Sequence, residues 1–335
     1  MIKKINVLVP NRPFYGHMSH QIPFYLHLRK IYPGAEITVW SKFENSKMML
    51  NLGIIDHLEI YGKNALFPLI SKIRKNKAEV TFNLYTASEK AHIATWLSGS
   101  KHKYGFCNSK ALARIYNLSL RFDKTKQYLG LNYMDLLNAM GQESCDFSIL
   151  NEMADDDLSR KKNDGYTVTL LPGGGEGDHK RWGIENYCQT VDSLFEGTNT
   201  PVTARFILDP DESHYTEVID KHTKNCSVEI YQSPTVNQII SLAQTSDIAV
   251  ANDCGPSHIF QMMEVPLIMI FGWKRADFSP FHIMSEWYHS SEDSWTIVPA
   301  AKEQSIHSIS VEKVQALVHA QLLLNEKRAA HENAW

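Results

Sequence analysis

The feature that most constrains this chain is an order of elements that occurs twice: a short apolar run, a turn, a helical stripe and another apolar run. Ile5-Asn6-Val7-Leu8-Val9 is the first run, ended by Pro10 and turn-forming residues up to Gly16. From Ile22 to Ile31, Ile22, Phe24, Leu26, Leu28 and Ile31 fall at helical spacings, and Tyr32-Pro33-Gly34 stops the helix. Glu36 to Trp40 follows as a second strand. Val80 to Tyr85 and Ser88 to Leu97 repeat strand, then helix. The polar stretch Asn151 to Gly165 reads as a linker, after which the pattern restarts. Strands are expected at Thr167–Leu171, Thr203–Leu208, Asp247–Ala251 and Pro266–Phe271, with helices at Glu185–Phe195, Val236–Ala243 and Ser257–Met263. From Val311, the stripe Val314, Leu317, Val318 and Leu322 predicts a closing helix. Strands alternating with helices imply parallel sheets covered on both faces. The expected fold class is therefore α/β, with two Rossmann-like, doubly wound domains facing a central cleft. Their boundaries fall at 1–155 and 166–310, and 311–335 forms a terminal helix and tail.

The length of 335 residues agrees with two domains, each able to bury a core. Lys and Arg number 34 against 37 Asp and Glu, a net charge of −3, which argues against a nucleic-acid partner held by a global basic field. The five cysteines are scattered and form no CxxC pair, the pattern of reduced thiols in a cytoplasmic protein. The N-terminal apolar run is too short for a signal peptide, and no run reaches the roughly 18–20 residues that span a bilayer. Any membrane contact is expected to be peripheral, on the inner face of the cytoplasmic membrane.

In doubly wound sheets ligands bind beyond the carboxyl ends of the strands, and three motifs lie there. The first is Leu171-Pro172-Gly173-Gly174-Gly175-Glu176-Gly177-Asp178-His179-Lys180-Arg181-Trp182. Glycines let backbone N–H groups approach an anion, and Lys180 or Arg181 would neutralise phosphate charge; the same glycines would also suit a plain surface loop. It is not a Walker loop, because GxxxxGK[ST] is absent. The second is Asn252-Asp253-Cys254-Gly255-Pro256-Ser257-His258, with proline where a helix's first turn tolerates it. Free N–H groups there would face a diphosphate; the alternative is a capped turn with Asp253 bonding backbone. The third is Pro10 to Pro23, with His17 and His20 after the first strand. A histidine titrates near neutrality, which suits a general base, although a loop histidine can equally be structural. Asp155-Asp156-Asp157 and Asp209-Pro210-Asp211 look like metal-binding Asp-x-Asp but read as a solvated run and a turn, so no metal is expected. Cations gather at Lys72, Arg74, Lys75 and Lys77, and again from Lys101 and Lys103 through Lys110, Arg114 and Arg121 to Lys124 and Lys126. They form either a solvated face or a contact for anionic lipid or a phosphorylated glycan.

Together these motifs resemble the bacterial lipopolysaccharide heptosyltransferases, glycosyltransferase family 9. Ala243 to Phe278 is similar to that family's aspartate-(Ser/Thr)-Gly-Pro-x-His signature and the strand and Phe-Gly turn that follow. LLPGGGEGDHKRWGIENY resembles its phosphate loop, and Phe206 to Glu212 the segment whose glutamate faces the nucleotide. The resemblance implies a GT-B fold, with donor on the C-terminal domain and acceptor on the N-terminal one, and no cofactor besides the nucleotide-diphosphate sugar, by default ADP-heptose. Gly173, Gly174, Lys180, Arg181, Glu212, Asp253, Cys254, Gly255 and His258 would hold that donor. His20, Lys101 and Lys103 would meet a glycan or glycolipid acceptor. The family carries Gly-Asp after its first strand, whereas this chain has Gly16-His17; GHMSHQIP is instead similar to the Gly-His pattern of GT-B enzymes that glycosylate small molecules. His17 is thus the candidate base and Lys180 the group that assists departure of the diphosphate. The alternatives are a GT-B nucleotide-sugar epimerase and a non-catalytic nucleotide- or glycan-binding homologue.

Overall fold

The computed structural model describes residues 2–10, 12–62, 65–123, 127–141, 144–159, 165–175, 177–194, 200–274, 279–302 and 304–332. Asn11, Lys124, Lys126, Glu176, Phe195, linker positions 160–164, the end of the signature at 275–278 and tail positions 333–335 lie outside the described residues. The chain forms two units, Met1–Leu150 and Asn151–Trp335.

The first unit holds β1 (Lys4–Leu8), β2 (Glu36–Ser41), β3 (His57–Ile60), β4 (Val80–Asn83), β5 (His102–Phe106) and β6 (Leu118–Leu120) in the order β3-β2-β1-β4-β5-β6. The second holds β7 (Tyr166–Leu171), β8 (Val202–Leu208), β9 (Ser227–Gln232), β10 (Ile248–Asn252), β11 (Leu267–Ile270) and β12 (Ser294–Ile297) in the order β12-β11-β10-β7-β8-β9. Every pairing is parallel. Numbered within its own unit, each sheet has the order 3-2-1-4-5-6. This is the doubly wound Rossmann arrangement, whose strand order reverses at the first and fourth strands. Right-handed crossovers then place helices on both faces, which is why β10 is buried throughout and β7 at every position after Tyr166.

The predicted helix over Ile22–Ile31 is present with those bounds, and Gly34 turns the chain behind it at φ +78°, where a side chain would be strained. Its Phe24 meets Phe82 of β4 edge-on at 5.4 Å. On the same sheet, Leu69, Ile70 and Ile73 of helix Leu66–Asn76 share a core cluster with Ala91 and Ala94 of helix Glu89–Trp96. Part of the expected linker is folded: a 3₁₀ segment runs over Phe147–Met153, helix Asp156–Ser159 follows, and the Asp155 amide donates to Ser241 Oγ at 2.6 Å. The terminal helix, Val311–Glu332, buries Val314, Val318 and Leu322 in the core of the second unit beside Val168 and Val250. It is a part of that unit rather than a separate segment.

Candidate active site

In the second unit the strand order reverses between β7 and β10, which pair with Leu171 opposite Ala251. Both glycine motifs leave the sheet there, so strand order brings together two loops far apart in sequence. Asn252 fastens them by donating from Nδ2 to the Pro172 carbonyl at 2.6 Å. The Arg181 Nε donates to the Gly174 carbonyl at 3.1 Å, folding the phosphate loop back on itself. A Cβ on Gly174 would lie 3.0 Å from Lys180 Cβ, so this close approach favours glycine.

Lys180 ends the turn Asp178–Lys180, and its Nζ lies 2.7 Å from Asp253 Oδ2. Both side chains are mostly buried, at 17% and 7% exposure. Asp253 Oδ1 in turn stands 4.0 Å from Nε2 of the buried His258. Gln261 Nε2 faces His258 Nδ1 at 3.4 Å, and Trp287 packs on the ring at 5.7 Å. Burial drives the His258 pKa down to about 4, with Asp253 opposing and Lys180 assisting, so the imidazole is neutral near pH 7. Cys254 caps helix Gly255–Met262, Ser257 Oγ closes the cap by donating to the Cys254 carbonyl at 2.8 Å, and Pro256 occupies the first turn. Burial also pushes the Cys254 thiol far above its ordinary value, so it is a protonated, neutral group.

Glu212 is 1% exposed and faces Gly173. Its Oε2 accepts the Asp209 amide at 2.9 Å, completing a reciprocal cap in which Asp209 starts the turn Pro210–Glu212. The Asp209-Pro210-Asp211 motif is therefore used as a helix cap. Burial, then the charges of Asp209 and Asp211, raise the Glu212 pKa to about 7. Its Oε1 is buried with no hydrogen-bond partner among the described residues. Arg181 extends toward Asp211 at 3.5 Å. The two loops thus bring together one cation shared with a carboxylate, a helix start and a carboxyl whose pKa is raised. Gly272 packs behind these loops, since a Cβ there would lie 2.0 Å from the His179 carbonyl oxygen.

In the first unit, His17 is half-buried on the short helix Gly16–Ser19, where the chain leaves β1. Its carbonyl accepts from Gln21 Nε2 at 2.7 Å, and its ring meets that of His20 edge-on at 5.9 Å. His20 corrects an expectation: it is fully buried, donates from Nδ1 to the Gly16 carbonyl at 2.8 Å and stacks on Tyr133, so it braces the His17 turn and offers no surface to an acceptor. Lys101 and Lys103 are a second correction. They stand at the amino end of β5, the opposite end of a parallel sheet from the turn bearing His17, and Lys103 Nζ is bonded to the Ser100 carbonyl.

The sequence reading also missed a small cavity of about 20 Å³ at the carboxyl ends of β2 and β3, lined by Lys42, Tyr61, Ser88 and Lys90. Lys42 Nζ lies 5.3 Å from the Tyr85 ring centre, and the Tyr61 and Tyr85 hydroxyls are 2.7 Å apart. The available signal was a lysine directly after one strand and another in the first turn of a helix.

Two doubly wound units, with glycine-rich loops meeting at the switch point of the second, make a GT-B architecture. Residues 66–313, about three quarters of the sequence, match the profile of glycosyltransferase family 9 (heptosyltransferase), and the chain belongs to that family. No curated protein sequence gives a significant match. Among solved structures, it is similar to the family 9 glycosyl transferase of Veillonella parvula, with 15% identity, 96% of this chain and 97% of that chain covered, and a TM-score of 0.62. It is also similar to the ADP-heptose lipopolysaccharide heptosyltransferase II of E. coli, at 18% identity, 96% and 99% coverage and TM-score 0.61. A third likeness is to E. coli heptosyltransferase WaaC with ADP, at 12% identity, 95% and 99% coverage and TM-score 0.62.

Proposed function

We propose that the chain transfers a sugar, by default heptose, from a nucleotide diphosphate to a hydroxyl of a lipopolysaccharide-core or other surface-glycan acceptor, with inversion at the anomeric carbon. The observation that carries this is the Lys180–Asp253–His258 chain set against Gly173, Gly174 and the helix beginning at Gly255. Lys180 is held beside a carboxylate that a diphosphate would replace as its partner. The leaving diphosphate is then met by that ammonium and by free N–H groups with the positive end of the helix dipole behind them. Glu212 Oε1, buried beside Gly173, suits a nucleotide hydroxyl as donor. His17 takes the acceptor's proton as its oxygen attacks, and the diphosphate leaves from the opposite side of the sugar carbon, giving direct inversion. This chemistry needs no cofactor besides the donor. The acceptor is a glycan or glycolipid, and the five free cysteines suit an enzyme that works in a reducing compartment.

The test begins with thermal shift of the purified protein in ADP, UDP, GDP and CMP. A ligand at about 100 times its Kd adds about 2.7 kcal/mol, which raises the midpoint by several degrees. ADP alone should respond if the sugar is a heptose; silence from all four would remove the donor site. His17→Ala should then lower turnover by about 10²–10⁴-fold while the ADP response persists. Unchanged turnover would take His17 out of the mechanism.

A further inference from the structure

The first unit holds a further buried histidine that the proposed chemistry does not use. His92, 4% exposed, lies early in helix Glu89–Trp96, whose start Ser88 caps by accepting the Ala91 amide at 3.3 Å. Its Nδ1 stands 2.6 Å from the Tyr116 hydroxyl and 3.3 Å from Asn83 Nδ2. Asn83 is fully buried at the end of β4. Its Oδ1 accepts the Tyr85 amide at 3.0 Å, which turns Nδ2 to donate to the Tyr116 oxygen at 2.6 Å. Burial pushes the Tyr116 pKa up to about 12, and burial also lowers that of His92 against the opposing charge of Glu89. Near pH 7 the phenol therefore keeps its proton and the imidazole is neutral. The hydrogens can then be counted. Asn83 gives one to Tyr116, Tyr116 gives its own to Nδ1, and the single imidazole proton is left on Nε2. Nε2 makes no hydrogen bond to the described residues and is not sealed from solvent. An N–H at the edge of so deeply buried a ring takes its partner from outside the protein.

The sheet sets where this N–H stands. β4 lies beside β1, with Asn83 opposite Leu8, and the strand order of the first unit reverses there. The turn bearing His17 leaves the carboxyl end of β1, and helix Glu89–Trp96 follows the carboxyl end of β4. The two histidines thus flank one switch point, the place where doubly wound sheets take ligands. We propose that His92 is a substrate-contacting residue whose Nε2–H donates to a hydroxyl oxygen of the acceptor sugar, with Asn83 and Tyr116 as positioning residues that fix its ring and its tautomer. The identity of that substrate rests on the proposed transfer reaction; the outward N–H itself rests on the hydrogen count. A neutral N–H suits a neutral sugar oxygen, because it orients the sugar without the desolvation that a cation would cost. Asn83 and Tyr116 are themselves buried, so they act through His92.

The experiment is NMR of the full chain with isotope-labelled imidazoles, titrated with glucose, galactose and a delipidated lipopolysaccharide-core oligosaccharide. The His92 signals are those missing from His92→Asn. Without sugar they should report the neutral ring protonated on Nε2, and in Tyr116→Phe the two tautomers should mix. Sugar should then move the His92 signals. In His92→Asn the new Oδ1 still accepts from Tyr116, so the melting point and ADP response should stay at wild-type values. Its affinity for the oligosaccharide in calorimetry should fall by about 2–10-fold, the loss of one neutral hydrogen bond. A proton on Nδ1, His92 signals that no sugar moves, or undiminished sugar binding by His92→Asn would overturn the proposal. So would a lower melting point in that variant with sugar binding intact, the mark of a histidine that only braces its helix. Should His92→Asn not fold, the wild-type and Tyr116→Phe spectra decide alone. Failure of the donor reading is distinct: it appears as silence toward ADP, whereas a still His92 signal beside an intact ADP response sinks only the sugar contact.

Discussion

On the proposed reading Lys180 serves both donor binding and the stability of the second unit, and its removal should separate the two effects. Its ammonium lies 2.7 Å from Asp253, and that carboxylate is only 7% exposed. Removing one partner of a buried pair leaves an uncompensated charge, at roughly 3–5 kcal/mol. The 17% exposure of Lys180 admits some water and places the expected loss near the low end of that range, about 3 kcal/mol. For a unit of this size about 3 kcal/mol moves the midpoint by roughly 6–12 °C, so Lys180→Met should melt that much lower. Asp253→Asn should cost less, because the longer lysine can turn toward solvent. The double variant should recover part of the loss, giving a coupling of about 2 kcal/mol in a double-mutant cycle. Nucleotide affinity should follow a different order. Lys180→Met loses a charge-assisted contact worth about 1.5–3 kcal/mol, or about 10–150-fold in Kd for ADP. Asp253→Asn should bind ADP at least as tightly as the wild type, since phosphate no longer competes with a carboxylate for the ammonium. Calorimetry for ADP and thermal melts of the four proteins supply both cycles. Additive melting losses, with a coupling below about 0.5 kcal/mol, or unchanged ADP affinity in Lys180→Met, would refute the shared-cation account.

Two buried groups should make opposite contributions to the pH dependence of stability. Glu212 is raised from 4.5 to about 7, so the folded state holds a proton that the unfolded state has released, and stability from this site falls as pH rises through that window. His258 is depressed from 6.5 to about 4, so its contribution is lost as pH falls through the corresponding window. Urea titrations across pH should therefore show, relative to wild type, Glu212→Gln losing stability more steeply on acidification and His258→Gln less steeply; parallel profiles would remove both shifts. Gly272→Ala should displace the His179 carbonyl, 2.0 Å from the new Cβ, and lower both melting point and ADP response; an unchanged ADP response would mean that the turn behind the phosphate loop is free to move.

Central strands were legible because burial on both faces leaves a mostly apolar run: the expected Thr203–Leu208 lies inside the observed Val202–Leu208, buried at every position, with its one charged member, Arg205, paired to Glu229. Edge strands gave no such signal. His57–Ile60 is exposed at both ends, and Ser227–Gln232 is only partly buried, because a strand with one neighbour has a face and an edge in water. Missing β5 in the sequence had a functional consequence, since it allowed Lys101 and Lys103 to be taken as acceptor contacts when they stand where a strand begins. His17 and His20 show the other limit. Both suit proton transfer by chemistry, and only the turn of one short helix leaves the first half-exposed and seals the second.

The residues of the proposed donor site could be picked out from sequence because glycines and cations after a strand are local features. What they do to one another could not, because Lys180 reaches Asp253 only when β10 inserts beside β7 at the reversal of strand order. Charge behaves in the same way. A net of −3 argued against a global basic field, yet an average over two units says nothing about either: residues 1–150 carry 20 Lys and Arg against 10 Asp and Glu, a net of +10, whereas residues 151–335 carry 14 against 27, a net of −13. A diphosphate needs a cation held at one point, and on the proposed reading the acidic second unit supplies it in Lys180, which the Asp253 carboxylate keeps in place.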